Sequence, residues 1–263
     1  MTDKVADLSR ETQSFDAWAL ATRAYGLITR GGGDTAEAHK LAAKAVELDP
    51  TYGYGWAILA TAHTVEVLYG LSESPAESIR LADECNEKAL NLDSALSCAT
   101  ANRGQIYMLQ GKLEEAITLG KKAIAMGPSI DTNYAILGQI MSYAGKFEEA
   151  IVPSKEAIRL NPFPAIWYYW LLGRAYFMRG QYNEAIITSK KAVQRNPDNL
   201  YAHIILTACY SSLGRDAEAT AGSKEVLRIN PNFSVESYAK TLPYKDKADV
   251  DREVAALRKA GLK

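Results

Sequence analysis

Six stops recur along this sequence, and their spacing constrains the fold more than any single residue does. They are Leu48-Asp49-Pro50, Leu92-Asp93-Ser94, Met126-Gly127-Pro128, Leu160-Asn161-Pro162, Arg195-Asn196-Pro197 and Ile229-Asn230-Pro231. Each closes an amphipathic stretch. From Ser94 onward the closing positions are Ser94, Pro128, Pro162, Pro197 and Pro231, so one step repeats almost unchanged (128−94, 162−128, 197−162, 231−197). A fixed period in this range predicts stacked supersecondary units, because one such unit cannot bury its apolar face alone. Each unit touches only its neighbours, so the 263 residues fit one array in place of the one or two globular domains that length would suggest. Such an array offers an extended surface for holding other molecules.

Within the period, small and aromatic residues return in register. The fifth unit carries Tyr169, Leu172, Gly173, Tyr176, Gly180, Ala185, Ala192 and Pro197, and the fourth Tyr134, Leu137, Gly138, Gly145, Ala150, Ala157 and Pro162. The third keeps Gly104, Tyr107, Gly111, Ala116, Ala123 and Pro128; the sixth keeps Leu206, Tyr210, Gly214, Ala219 and Pro231, with Thr207 in place of the small glycine. This pattern resembles the tetratricopeptide repeat, a helix pair about every 34 residues. The resemblance implies an all-α chain, a right-handed superhelical α-solenoid of about six helix pairs with a C-terminal capping helix. Glycine at the first-helix crossing lets the partner helix approach, glycine after that helix accepts a left-handed cap, and proline ends the second helix. The expected division is a flexible tail over 1–13, an array over 14–232 with units at 14–50, 51–94, 95–128, 129–162, 163–197 and 198–231, and a capping segment over 233–263.

The first two units are irregular. Gly31-Gly32-Gly33 lengthens the first connection, and the step from Pro50 to Ser94 (94−50) is longer than the period by roughly ten positions. The surplus is expected around Val67 to Pro75, where Ser74 or Ser78 would cap the next helix. It reads either as a tolerated loop or as a contact site on one face. After Pro231, a short segment from Phe233 to Lys240 precedes a final amphipathic helix carrying Val250, Val254 and Leu257, capped by Asp246 or Asp249 and serving as a lid on the sixth pair. Pro153 is expected to interrupt the helix from Phe147 to Leu160, as a local kink or as a change in curvature beside the fifth unit.

Composition narrows the partners. A formal net charge of −1 gives no field toward nucleic acid or an acidic membrane. Lys121-Lys122 and Lys190-Lys191 read as solvated helix faces. No apolar run reaches the roughly 18 residues of a membrane span, and Met1-Thr2-Asp3-Lys4 lacks the apolar core of a signal peptide. Cys85, Cys98 and Cys209 are widely spaced and read as reduced, small apolar side chains. These features point to the cytoplasm and to a protein or peptide partner, with self-association left open.

No catalytic constellation is present, so the chain is expected to be neither an enzyme nor a cofactor binder. His39, His63 and His203 fall in three different units outside any metal motif, so no metal site is expected. Gly31-Gly32-Gly33 lacks the Lys-Ser/Thr of a phosphate loop. Glu114-Glu115 and Glu148-Glu149 open second helices, where negative charge suits the helix terminus.

In tetratricopeptide proteins the first helix of each pair lines the concave face. Transferred through the register, that face comprises Cys98, Ala101, Gln105 and Met108, then Thr132, Ala135, Gln139 and Ser142, then Trp167, Trp170, Arg174 and Phe177, then Tyr201, Ile204, Ala208 and Ser211. The partner-contacting residues expected from it are Gln105, Gln139, Trp167, Trp170, Arg174, Phe177 and Tyr201. The four residues of the fifth unit share one helix face, and aromatics and arginine are enriched at binding hot spots. Two readings stay open for them: a groove for a partner, or packing on the neighbouring repeat and the C-terminal segment. Chaperone-tail binders of the same family clamp a carboxylate with paired Lys and Asn. Gln105, Gln139 and Arg174 replace that clamp here, which favours an apolar or helical peptide.

A narrower likeness rests on Ser14-Phe15-Asp16-Ala17-Trp18, the long second unit, Asn161-Pro162-Phe163-Pro164 with Trp167 to Tyr176, and the ending from Pro243-Tyr244-Lys245-Asp246 to Arg258-Lys259-Ala260-Gly261-Leu262. These stretches resemble the repeat region that follows the catalytic domain of many bacterial class III adenylate/guanylate cyclases. That resemblance implies a regulatory or docking role beside a cyclic-nucleotide signalling enzyme, as the alternative to a free-standing scaffold. It transfers no catalytic residue.

Overall fold

The computed structural model describes residues 12–30 and 34–263. Most of the expected N-terminal tail and the connection Gly31-Gly32-Gly33 lie outside the described residues. Among the described residues the chain forms fourteen α-helices and no strand. In order they are α1 (Phe15–Arg30), α2 (Thr35–Leu48), α3 (Gly53–Leu68), α4 (Pro75–Leu92), α5 (Ser97–Leu109), α6 (Leu113–Met126), α7 (Asp131–Tyr143), α8 (Phe147–Leu160), α9 (Ile166–Met178), α10 (Tyr182–Arg195), α11 (Leu200–Ser212), α12 (Asp216–Ile229), α13 (Val235–Lys240) and α14 (Lys247–Lys259). They pack as two compact units, one ending at Ile140 and the other running from Met141 to Lys263.

The odd-numbered helices up to α11 and their even-numbered partners bury different amounts of surface, as their sequences dictate. From α3 on, the first helices are buried on most sides: α9 buries every residue from Trp170 to Met178, and α11 every residue from Ala202 to Ser211. Such a helix must be covered on several sides. The second helices bury one stripe, Ala116, Ile117, Gly120 and Ala123 in α6 and Ala185, Ile186, Thr188, Ser189 and Ala192 in α10. Their other face carries the charges, including the exposed Lys121-Lys122 and Lys190-Lys191.

First helices end on glycine because the turn needs a left-handed residue. Gly111 has φ +78°, and the N–H groups after and at that turn bond back, Lys112 to the Tyr107 carbonyl (2.8 Å) and Gly111 to that of Met108 (3.0 Å). This is a two-bond C-terminal cap that satisfies orphan carbonyls. Gly104 serves a different purpose: a methyl placed there would stand 3.1 Å from Ile140 Cδ1 and 3.2 Å from the Ala116 carbonyl oxygen.

The surplus of the second unit is shared out, and most of it is helical. Gly70 ends α3 with φ +67°. It stands further beyond its preceding stop Pro50 (70−50) than Gly111 stands beyond Ser94 (111−94). The extra turn therefore belongs to α3, and α4 is likewise longer than its counterpart, at 18 residues against 14 in α6. Only the short connection around Ser72 and Ser74 is loop. Ser74 precedes Pro75 at the helix start without a side-chain capping bond. Instead Ser72 Oγ pairs with Ser78 Oγ at 2.8 Å and accepts from the Ser74 N–H at 3.2 Å. Pro153 does not split the helix in two. Helix α8 runs unbroken through it with the proline ring buried, while Ser154 Oγ donates to the Ala150 carbonyl at 2.8 Å.

The C-terminal segment is firmly seated. Asp246 caps α14 by accepting from the Ala248 N–H (2.9 Å), Ser223 Oγ donates to the Ala260 carbonyl (2.7 Å), and the Val235 N–H donates to the Lys263 carbonyl (2.7 Å). Helix α14 lies against α11, the first helix of the sixth pair.

The close crossing at Gly104 sets a first prediction. Gly104→Val should destabilise the protein by about 1–3 kcal/mol through overpacking, seen as an earlier midpoint in urea denaturation followed by circular dichroism. An unchanged midpoint would mean that the pair tolerates a wider crossing.

Candidate functional site

Within residues 12–140 the first helices of four successive pairs line a half-open apolar cavity of about 100 Å³. Tyr25 of α1 lines it, with Tyr54, Ile58 and Thr61 of α3, Cys98 and Asn102 of α5, and Thr132 and Ile136 of α7. Small residues make this convergence possible: α3 buries Gly53, Gly55, Ala57, Ala60 and Ala62, so its neighbours approach its backbone. One polar bond crosses the rim, between Tyr25 Oη and Thr132 Oγ1 at 2.9 Å. Burial pushes the Tyr25 phenol up to about 12. In the wall, Asn102 Nδ2 donates to Asn86 Oδ1 at 3.3 Å, which leaves Asn102 Oδ1 buried without a hydrogen-bond partner. Cys98 and Thr132 both belong to the row transferred from the repeat register.

The other expected contact residues divide sharply. Gln105 and Gln139, equivalent positions of successive units, are buried and bonded to each other, Gln105 Nε2 donating to Gln139 Oε1 at 2.6 Å. In the second compact unit Trp170 is buried and stacks on Tyr201 with ring centroids 5.0 Å apart. Phe177 is fully buried against Tyr182. Trp167 and Tyr201 keep partly exposed rings.

Arg174, 1% exposed, is held entirely by the chain itself. Its Nη1 donates to Tyr143 Oη and its Nη2 to Tyr238 Oη, each at 2.6 Å, and Nη2 lies 3.6 Å from Glu253 Oε1. Tyr238 Oη in turn donates to Glu253 Oε1 at 2.5 Å, and Tyr244 Oη to Oε2 at 3.3 Å. Trp170 supplies a ring face 5.1 Å from the guanidinium. Of the two readings left open by the sequence, packing on the neighbouring repeat describes Trp170 and packing on the C-terminal segment describes Arg174, while Phe177 is buried within its own helix pair. Burial, the largest single influence, pushes the Arg174 guanidinium down, but the Glu253 carboxylate together with Tyr143, Tyr238 and Tyr244 outweighs it and holds the group above its ordinary value. Burial pushes the phenols of Tyr143, Tyr238 and Tyr244 up, with Glu253 adding to the effect. Sequence reasoning found Arg174 but missed Glu253, whose α14 reads as an ordinary amphipathic helix; a glutamate on the apolar stripe beside Val254 and Leu257 was the available signal.

His39 and His63 belong to different units, as the sequence indicates, yet their side chains touch. His39 in α2 and His63 in α3 meet edge to face with ring centroids 4.3 Å apart, because consecutive helices of neighbouring pairs pack together. In the second compact unit, His203 has its Nε2 2.8 Å from the Pro197 carbonyl oxygen. The three cysteines are free thiols.

Comparison with known proteins places this geometry in a fold. Residues 168–199 match the family model described as tetratricopeptide repeat. Among curated proteins none matches the chain. Solved structures do. A thermophilic tetratricopeptide protein of Thermus thermophilus aligns at TM-score 0.57 and 22% identity, covering 78% of this chain and 99% of its own. The Cut9-Hcn1 hetero-tetramer of the APC/C aligns at 0.65 and 18%, covering 92% of this chain, and a human IFIT1 dimer with PPP-AAAA at 0.69 and 15%, again covering 92%. This chain spans 43% of the length of the Cut9-Hcn1 chain and 59% of the IFIT1 chain. The chain thus carries a tetratricopeptide repeat at 168–199, and its helix pairs have the fold of tetratricopeptide solenoids. No helix among the described residues is long and apolar enough to cross a membrane.

The buried network can be tested in two ways. Glu253→Ala should cost about 3–5 kcal/mol by leaving a buried guanidinium uncompensated, and the pair Arg174→Met with Glu253→Leu should recover most of that loss in thermal unfolding. In alkali, Tyr25, Tyr143, Tyr238 and Tyr244 remain protonated in the folded state above the ordinary phenol value of about 10. The unfolded chain then binds fewer protons, so stability is intact below about pH 10 and falls as pH rises beyond it. Phenolate absorbance and helical ellipticity should change together in an alkaline titration.

Proposed function

We propose that this protein is a non-catalytic docking scaffold, holding a peptide segment of a partner protein on the first-helix face of its array. The observation that carries the reading is the cavity between Tyr25, Ile58, Cys98 and Ile136. It is apolar, formed by rigid helices, and about 100 Å³ in volume. A dry cavity of about 150 Å³ holds benzene, so this one suits a branched aliphatic side chain of a bound peptide. Rigid apolar pockets with a few polar groups at the rim are the usual anchoring sites of partners. Within the second compact unit Trp167 and Tyr201 form a separate, partly exposed pair of candidate contacts, and Trp170 braces Tyr201 by stacking on it. The Gln105–Gln139 pair acts likewise as a stiffener of the first-helix layer.

The likeness to cyclase-associated arrays carries a narrower version, in which the partner is a cyclic-nucleotide signalling enzyme. No comparison adds to it, so the proposal stays at the class of partner. The near-zero net charge supports a peptide ahead of nucleic acid.

The test is direct. Peptides selected from a displayed random library against the wild-type protein should bind Thr61→Trp, whose indole fills the cavity, at least about tenfold more weakly, the scale of one hot-spot side chain. Fluorescence polarisation measures the affinity, and thermal unfolding checks that the fold is kept. Equal binding to both proteins, or no selectable peptide, would remove the cavity from the function.

A further inference from the structure

We infer that His39, His63 and Glu66 form a zinc-binding site that ties the first helix pair to the second. One ligand atom from each of the three lies within 4.8 Å of the others. Each imidazole faces its own oxygen of one carboxylate: His39 Nδ1 is 2.8 Å from Glu66 Oε1, and His63 Nδ1 is 3.8 Å from Oε2. Tetrahedral zinc, with bonds of about 2.0–2.1 Å, sets its ligands about 3.3 Å apart. The two nitrogen–oxygen separations, 2.8 and 3.8 Å, lie on either side of that spacing.

A plain ion pair accounts for His39 but not for His63. The His63 ring is buried, yet its Nδ1 has no hydrogen-bond partner. A buried polar atom left unmade is costly, and here it points to a ligand absent from the protein's own side chains. The two remaining ligands are accessible: the side chains of His39 and Glu66 are 33% and 18% exposed. An ion can therefore enter from that side and keep a water as its fourth ligand. The donor set, two imidazoles and one carboxylate, suits zinc and related transition ions; calcium and magnesium prefer all-oxygen sites.

The site sits on rigid elements. His63 and Glu66 stand one helical turn apart on α3 and share a face. The end of α3 is fixed by the N–H groups of Leu71 and Ser72, which both donate to the Glu66 carbonyl at 2.8 and 3.3 Å. The site also depends on the longer α3. Glu66 stands as far beyond Pro50 (66−50) as Gln110 stands beyond Ser94 (110−94). In the third unit that position already lies past the helix, as the C-terminal cap of α5. The extra turn keeps Glu66 helical and in line with His63. The surplus in the second unit thus has a chemical consequence that a mere loop would lack. This inference does not rest on the peptide-docking proposal.

Tag-free protein stripped with a chelator would be titrated with Zn²⁺ alone against a chromogenic competitor, and with Co²⁺ alone to read the coordination from its visible absorption. The expected result is one equivalent of Zn²⁺ bound, a higher thermal midpoint with Zn²⁺, and a Co²⁺ spectrum of four-coordinate type. His39→Ala, His63→Ala and Glu66→Gln should each weaken binding by at least about tenfold, since even outer-shell changes have effects of that size. His203→Ala and Cys98→Ser should leave it unchanged. His39 is partly exposed, so its variant keeps the test valid if His63→Ala fails to fold by circular dichroism. Absence of stoichiometric binding, equal affinity in the His39→Ala and Glu66→Gln variants, or loss of binding in Cys98→Ser would overturn the assignment.

Discussion

The contact on which the rest of the structure depends is the close crossing of the two helices in a pair. At Gly53, Gly104 and Gly173 a methyl group would stand 3.3, 3.2 and 3.4 Å from the carbonyl oxygens of Ala89, Ala116 and Ala185, respectively. In each case a glycine on the first helix faces an alanine carbonyl on the second. Backbones at that distance leave no room for larger side chains at the crossing. The first helix must then find its contacts on its other sides, which is why α5 and α9 are buried on most sides. Stacking of successive pairs follows from the same shortage of side chains within a pair.

That arrangement explains where polar chemistry gathers. A first helix covered on several sides has nowhere to send a long polar side chain except toward a neighbouring element. Gln105 finds Gln139 on the next first helix, Asn102 reaches Asn86, and Arg174 reaches α13 and α14. The buried Arg174–Glu253 pair gives the C-terminal segment a specific seat where apolar packing alone would allow it to slide. A charged pair this deep contributes little net stability against an apolar replacement but penalises every misplacement of either partner.

The second repeat departs from the period, and its departures coincide with its chemistry. The longer α3 supplies both a wall of the apolar cavity and the carboxylate that meets two imidazoles. Residues 12–140 therefore hold two distinct features close in sequence, a pocket for an apolar side chain and a three-ligand cluster on the helix end. Neither needs the other, and the substitutions that alter them do not overlap.

The sequence by itself determined the helix pairs and their order, and from the third unit on their ends; in the second unit it showed only a surplus, not the longer α3 and α4 that absorb it. Stops at Pro128, Pro162, Pro197 and Pro231, cap glycines such as Gly111, and the Gly104–Ala116 spacing are local signals read by local physics: backbone conformation, helix termination and steric room. It also singled out Arg174 and the first-helix row. Only the tertiary structure decided which of those residues meet. Tyr25 and Thr132 are 107 residues apart, His39 and Glu66 27, and Arg174 and Tyr238 64. The repeat period specifies how each unit sits on the next but not the sum of the small rotations between them. It also says nothing of how a non-repeating C-terminal segment lands. Contacts that depend on those sums, the cavity rim and the Arg174–Glu253 seat among them, were therefore invisible until the helices were packed. The His39–His63 contact spans only adjacent helices, and it was missed because counting by unit hid the neighbouring faces.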